Sequence, residues 1–530
     1  MKTIQKLLTA ISLVFIFSYN AISMDCNKGE KFRGFMIDAP RSTETMEHYF
    51  RLIDFCRKAE INAIIFRLTD DQGSAYLFTS HPELKMCEGA FTVQELKKLI
   101  DYAQERCIEM IPEIESFGHS NYITQTARYK FLNDGPEGED FNALCPVSDT
   151  TLSLMKDLYS EVASIFPCRY FHIGCDEVNW GVSEMSKNAL NTKSKSQIWA
   201  GYINKLNGYI KGLGKETIIW GDVPINEERE ILDLLDKDIV LMDWNYWKTD
   251  KEIIDNVAHL VLNKGFKLIG CPAVSWCGWG PRVGEFQFKN INAYAEVYGK
   301  LNDPNNLGII LSNWVPMRYL QNSQWDTYTI AAEIIKNNGN YNYMNAIPAF
   351  IKNNFGARSD ANWEKIYKTV YQETPEWGCG QHDSLKFFSW SSAKHIKDII
   401  GKNKKLPNRF GEIANLLSTY RDSVTQNNRD FEDFLQTIKF IEYNYNRQND
   451  LLAFANSKRF DLKSVESYLK KAALEDQMQL SKIKLAWSFG RRCKPDETDR
   501  EFMWFFYKAS NYSKYLSENP TELIKILEGK

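Results

Sequence analysis

Neither sign of charge dominates this chain of 530 residues: 65 Lys and Arg face 68 Asp and Glu, a formal net charge of −3. That balance gives no electrostatic reason to expect a nucleic-acid or acidic-surface partner. Beyond the N-terminus no apolar run is long enough to span a bilayer. No Cys/His spacing matches a zinc site. No Gly-rich turn follows the first strand-like run, as it would in an open nucleotide-binding α/β sheet. Short repeats and low-complexity segments are absent. From these absences we expect neither a metal nor a cofactor. The eleven cysteines are an odd number, so pairing within the chain leaves at least one thiol over.

Residues 1–23 read as a signal peptide, with a short basic start, an apolar run from Leu7 to Phe17 and a small-x-small site at Ala21-Ile22-Ser23. The expected protein is therefore exported, periplasmic or extracellular, with residues 24–31 a short N-terminal segment. Aromatics make up 13% of the chain, and nine of its fourteen tryptophans fall between Asp176 and Ile330. That clustering points to a ring-stacking site more than to uniform core filler.

Strand-like runs lie at 32–39, 63–70, 109–115, 170–177, 216–222, 239–245, 266–273 and 308–314. Helix-like stretches, such as 43–60, 93–107, 152–166 and 197–213, separate most of them. Eight alternating units predict an α/β fold, a closed (β/α)8 TIM barrel over 32–338; a doubly wound open sheet is the alternative. From 339 to 530 the strand pattern gives way to amphipathic stretches at 407–423, 429–444, 462–489 and 496–517, and we expect an α-helical C-terminal region.

Each strand candidate carries polar or aromatic residues where its apolar run stops. These include Asp38 and Arg41, Asp70 and Asp71, Glu113 and Glu115 followed by His119, Asp176-Glu177, Trp220 and Asp222, Asp243 and Trp244, Trp276, and Asn313-Trp314. In a barrel these ends form one rim, where active sites are built. The sharpest case is Tyr170-Phe171-His172-Ile173-Gly174-Cys175-Asp176-Glu177-Val178. Two acids at the end of an apolar strand need partners or perturbed pKa values. An ordinary retaining glycosidase takes its two carboxyls, about 5–5.5 Å apart, from separate strands. An adjacent pair suits another division of labour, in which one acid protonates the leaving oxygen and the other orients a nucleophile carried by the substrate, such as a 2-acetamido group.

The stretch His172–Val178 resembles the signature of the family 20 glycoside hydrolases, the β-N-acetylhexosaminidases, with Cys175 where that family usually has Gly. Arg33-Gly34-Phe35-Met36-Ile37-Asp38, Leu68-Thr69-Asp70-Asp71-Gln72-Gly73 and Pro112-Glu113-Ile114-Glu115 with Gly118-His119 are similar to its first three strands. The resemblance implies an exo-acting, retaining, substrate-assisted hydrolase of oligosaccharides or glycoconjugates. Glu177 would be the acid and then the base, with a pKa raised by enclosure. Asp176 would hold the acetamido N–H, and His119 with Asp71 would support Glu177. Arg33 would hold ring hydroxyls; Trp220, Trp244, Trp276 and Trp314, with Asp222, would line the sugar pocket.

The sequence also departs from that family. The Tyr, and the Asp two residues after it, that usually follow strand seven are replaced by Ser275-Trp276-Cys277-Gly278, and the usual Trp-x-Glu after strand eight reads Trp314-Val315-Pro316. The acids that normally grip O4 and O6 of the sugar are thus missing, which points to a substrate substituted at O6. Two other readings stand beside this one: a glycan-binding protein on a degenerate barrel, and a two-carboxylate glycosidase using Glu177 with Glu115 or Asp222. The oligomeric state is not legible.

Overall fold

A computed structural model describes residues 30–136, 143–276, 280–374, 390–407, 409–458, 460–495 and 501–529. The expected signal peptide lies outside the described residues. Eight parallel strands form the barrel: β1 (Phe32–Asp38), β2 (Ala63–Arg67), β3 (Glu109–Glu113), β4 (Tyr170–His172), β5 (Glu216–Trp220), β6 (Val240–Asp243), β7 (Lys267–Gly270) and β8 (Asn306–Asn313). They pair in sequence order, and β1 returns to β8 in a register running from Phe32 opposite Gly308 to Ile37 opposite Asn313. With that pairing the sheet has no break between first and last strand. The open doubly wound alternative is excluded.

The strands are short, apolar and covered on both faces. All five residues of β2, Ala63-Ile64-Ile65-Phe66-Arg67, are buried, as expected where helices screen the outside of a parallel sheet. The outer helices include α1 (Met46–Lys58), α2 (Val93–Gln104), α3 (Asp149–Ile165), α4 (Lys195–Gly212), α5 (Lys251–Asn263), α6 (Glu285–Lys300) and α7 (Trp325–Lys336). Local chemistry marks where several begin. Thr92 with Glu95, and Ser194 with Gln197, form reciprocal capping boxes at α2 and α4, satisfying amides that the first turn leaves over.

One feature was not expected. Residues Thr69–Asp70, Gly73–Tyr76 and Met86–Phe91 form a separate three-stranded sheet between β2 and α2. Beyond β8 the described elements are helices, notably α8 (Ala361–Glu373), α9 (Ala393–Lys402), α10 (Arg409–Thr419), α11 (Asn428–Asn456), α12 (Leu462–Trp487), α13 (Glu501–Glu518) and α14 (Pro520–Leu527). They are not a free appendage, however. Arg51 of α1 pairs with buried Asp430 of α11, and Arg491 makes an antiparallel bridge to Glu44 beside β1. No helix among the described residues is long and apolar enough to cross a membrane.

Asp243, at the end of β6, faces the helix layer rather than the barrel mouth. It is buried and accepts a hydrogen bond from Tyr298 of α6 at 3.1 Å. Burial pushes its carboxyl up to about 6 from an ordinary 3.8. A carboxyl raised in the fold costs nothing below its unfolded pKa, and its penalty grows as pH rises from about 4 through about 6. Asp243→Asn should match the wild type in thermal stability at pH 4 and exceed it at pH 8, by about 2–3 kcal/mol from a shift of this size. Melting curves at the two pH values check this.

Candidate active site

The C-terminal ends of the strands bring the rim residues together, and the loop after β3 shows how. Glu115 N–H donates to Thr69 Oγ1 at 2.8 Å, Tyr122 O–H donates to the Glu115 carbonyl at 2.7 Å, and Tyr202 O–H donates to the Ser116 carbonyl at 2.7 Å. Two glycines allow this loop to press on the end of β4. A Cβ at Gly174 would lie 2.0 Å from Glu115 Oε2, and one at Gly118 would lie 2.2 Å from the Asp176 carbonyl oxygen. No larger residue fits either position.

His119 is the hub. It is buried, with Nδ1 2.8 Å from Asp71 Oδ2, Nε2 3.2 Å from Glu177 Oε2 and Nε2 3.8 Å from Asp176 Oδ2. The Asn121 amide donates to Asp71 Oδ1 at 3.1 Å and so holds that carboxylate behind the ring. Burial disfavours the imidazolium, but Asp176 and Asp71 outweigh it and keep the ring's pKa well above its ordinary value. The Asp70-Asp71-His119 and His119-Asp176-Glu177 groupings bring ligand-type atoms within 4.8 Å of one another. Both ring nitrogens of His119 are already engaged here, Nδ1 by Asp71 and Nε2 by Glu177.

Asp176 and Glu177 occupy different surroundings. Asp176 is buried; its Oδ1 accepts no hydrogen bond from the protein, and its carboxyl is raised by burial, offset in part by His119 and Arg67. The Glu177 side chain is 47% exposed at the mouth. The sequence reading expected a raised Glu177 pKa; the structure shows the reverse. Desolvation pushes it up, but the hydrogen bond and charge of His119, with Arg41 beyond, hold it below the usual range. Both directions favour the charged forms, Glu177 as carboxylate and His119 as imidazolium. Asp222 steadies the turn by accepting from the Glu177 amide at 2.9 Å. Its own carboxyl is pushed well up by burial and by Asp176.

Beneath the pair sits Arg67, fully buried at the end of β2. It meets Glu115 at 2.5 Å, Glu113 at 3.5 Å and Asp38 at 3.7 Å, and it also pairs with Asp70. Arg41, three residues past β1, reaches Asp70 at 3.0 Å and Asp38 at 3.2 Å. Its guanidinium lies 5.3 Å from the Trp314 ring centre. Arg33, expected to hold sugar hydroxyls, is not in the site. It stands near the N-terminal start of β1, where its Nε donates to the Glu60 carbonyl at 2.9 Å and its guanidinium is 3.6 Å from Glu30. A strand's first residues belong to the opposite end of the barrel; Arg41 is the cation at the mouth.

The aromatic residues divide into floor and rim. Trp220 is fully enclosed, donates from Nε1 to Glu113 Oε1 at 2.8 Å and packs 5.5 Å from Trp314. It lies under the pocket rather than forming an open wall. Trp314 donates from Nε1 to the Tyr246 hydroxyl at 2.7 Å. Trp244 stacks on Tyr246 at 5.1 Å, and Trp276 meets Tyr246 at 6.1 Å and the exposed Trp247 at 5.8 Å. Residues 277 and 278 of the altered strand-seven segment lie outside the described residues. Tyr246 and Arg67 were missed as site residues; a tyrosine three residues beyond a strand, and an arginine that ends one but lies within the longer strand-like run 63–70, carry no local signal of convergence.

Residues 31–278 match the family model described as "Glycosyl hydrolase family 20, catalytic domain". The match runs from β1 to past β7 and supports family 20 for the barrel. Among curated proteins, a β-hexosaminidase of Vibrio furnissii is 29% identical over 253 residues, covering 40% of this chain and 40% of that protein. A lacto-N-biosidase of Bifidobacterium bifidum is 31% identical over 163 residues, covering 29% of this chain and 14% of that protein. The chain thus spans well under two thirds of these relatives. A crystal structure of a β-N-acetylhexosaminidase superposes with a TM-score of 0.50 at 16% identity, over 65% of this chain and 80% of that one; at that identity the likeness speaks for the fold. Within the family 20 frame this barrel carries Cys175 before its acidic pair in a left-handed conformation, φ 80°, which a side chain adopts at a cost of about 1–2 kcal/mol.

The electrostatics of His119 are open to direct measurement. Removing the charge behind the ring in Asp71→Asn should lower the pKa of His119 by on the order of one unit or more. The ring resonances of His119 followed by NMR across pH check this, and an unchanged titration would show that Asp176 and Glu177 suffice to hold the proton.

Proposed function

We propose that the chain is an exo-acting glycoside hydrolase that releases terminal β-linked N-acetylhexosamine from oligosaccharides or glycoconjugates, with retention, by substrate-assisted catalysis. The observation that carries the reading is the adjacency of Asp176 and Glu177 at the end of β4, with His119 Nε2 3.2 Å from Glu177 Oε2. Two neighbouring residues on one strand end are poorly placed to flank a scissile bond as acid and nucleophile. They are well placed to serve its leaving oxygen and its 2-acetamido group.

In the first step the acetamido carbonyl oxygen attacks C1 as the glycosidic bond breaks. Glu177 gives a proton to the departing oxygen, and the N–H of the resulting oxazolinium is held by Asp176, whose buried Oδ1 has no other donor. In the second step the Glu177 carboxylate takes a proton from water as that water attacks C1 and opens the ring. In this scheme His119 supplies the proton that Glu177 needs. A bound sugar that excludes water from Glu177 raises its proton affinity, and the 3.2 Å contact is the path by which the proton crosses. Arg41 and the Trp314 ring would hold the sugar's hydroxyls and face. At the end of β8, Pro316 offers no carboxylate to a sugar O6, which supports a substrate substituted there, for example by sulfate. Residues 1–23 fit a leader for export to the periplasm or outside the cell.

Glu177→Gln and Asp176→Asn should each lower kcat by about 100-fold or more with the fold intact. Aryl 2-acetamido-2-deoxyglycosides should be cleaved and their 2-hydroxy counterparts left untouched, as a product assay would show. Cleavage of both would favour a two-carboxylate enzyme, and affinity without turnover a glycan-binding protein. Among the 2-acetamido substrates, a 6-sulfated sugar should be preferred to the plain one; equal rates would remove the proposal about O6.

A further inference from the structure

The helical region reaches back into the barrel mouth through one short strap. Residues 490–492 lie antiparallel to residues 43–45: the Thr45 amide donates to the Gly490 carbonyl at 3.0 Å, and the Arg492 amide donates to the Thr43 carbonyl at 2.9 Å. The Arg491 side chain is 1% exposed. Its Nε is 3.1 Å from Glu44 Oε1, and its Nη2 donates to the Tyr319 carbonyl at 2.8 Å and to the Pro316 carbonyl. Its guanidinium rests 3.7 Å from the Trp487 ring centre. A planar fork of donors that meets a carboxylate and two carbonyls fixes direction as well as distance, which an ammonium would not.

What the strap holds matters more than the strap. Residues 43–45 begin two positions after Arg41, and residues 316–319 begin two positions after Trp314. Between Trp314 and Pro316 lies Val315, whose φ of 52° is a left-handed conformation unfavourable for a β-branched residue. Its amide donates to Asp38 Oδ2 at 3.0 Å, the same carboxylate oxygen that lies 3.2 Å from Arg41. Arg491 therefore grips both chain segments that carry the Arg41–Trp314 pair, and the strained turn between them persists because it is held at each end.

We infer that Arg491 is a positioning residue for sugar binding: it sets the spacing of Arg41 and Trp314 from outside the pocket, and through it the helical region is a working part of the site. This rests on the proposed role of Arg41 and Trp314 at the sugar. Arg491→Met is compared with Arg447→Met, which removes another buried arginine of the helical region. Arg447 lies 3.6 Å from Asp476 and donates to the Tyr468 hydroxyl at 2.7 Å and to Ser513 Oγ at 3.3 Å, all partners within the helical region.

With an aryl N-acetylglucosaminide, well below both melting temperatures, Arg491→Met should raise KM about tenfold with kcat changed by less than about threefold. Added guanidinium ion should return KM toward the wild type, and Arg447→Met should leave KM alone. Hydrogen exchange supplies a readout independent of turnover: the amides of residues 43–45 and 315–320 should lose protection in Arg491→Met and keep it in Arg447→Met. An unchanged KM in Arg491→Met, or an equal rise in Arg447→Met, overturns the inference. If the wild type hydrolyses none of the glycosides, the proposed function fails, and the exchange data decide this inference alone: protection lost equally in both variants, or in neither, overturns it.

Discussion

A fully buried arginine stands at the base of the candidate site, and the charges above it follow from it. Arg67 cannot leave its proton behind, so its guanidinium must be met by carboxylates inside a medium that resists charge. Four converge on it, from the ends of β1, β2 and β3 and the loops beyond. Four acids around one cation cannot all stay ionised. Asp70, shared with Arg41, is held below its ordinary pKa; Glu113 is pushed up to about 7; Glu115 is pushed well above its ordinary value by burial and by Asp176. The mouth thus keeps a reserve of protons under one cationic floor. The imidazolium of His119 and the carboxylate of Glu177 sit on that floor, and their charges are set by the groups beneath as much as by each other.

Much of this was legible in the sequence, for identifiable reasons. Alternation of apolar runs with helical spacing located all eight barrel strands, because strands buried on both faces have no choice but to be apolar. Asp71, His119, Asp176, Glu177 and Asp222 converge as expected because rim residues are defined by where an apolar run stops, and that is a local property. Arg33 misled because it sits in a motif-like run yet begins its strand. The polarity of the strand places it at the wrong end, and Arg41 at the right one. The direction of the Glu177 shift could not be read, since it depends on whether His119 and Arg41, reaching it across space, outweigh its burial. Trp220 was recognised as part of the pocket but not as its enclosed floor, because exposure depends on the ring of Trp314 packed over it.

Backbone strain is present at the same rim. His119, Cys175, Glu177 and Val315 all have positive φ, at 44°, 80°, 47° and 52°. None is glycine, and each lies in or beside a turn that leaves β3, β4 or β8. Positions of this kind persist where surrounding contacts over-determine them. Here those contacts are visible: Asp71 and Glu177 on His119, Glu115 Oε2 accepting from the Cys175 amide at 3.2 Å, Asp222 on the Glu177 amide, and Asp38 on that of Val315. Carboxylates hold the backbone in the shape that presents the other carboxylates.

The pairing of residues 43–45 with residues 490–492 has a consequence for how the chain is made. Glu44 and Arg491 are 447 residues apart. The barrel's sheet can close once Asn313 has left the ribosome, but the segment after β1 finds its partner only when synthesis has passed Arg492. At about 5–20 residues per second this is a delay on the order of tens of seconds after β1 emerges. For that interval the nascent barrel has its strands and its acids but an unfinished lip. Completion of the mouth therefore waits on synthesis: only a chain translated past Arg492 can carry the lip in its final shape.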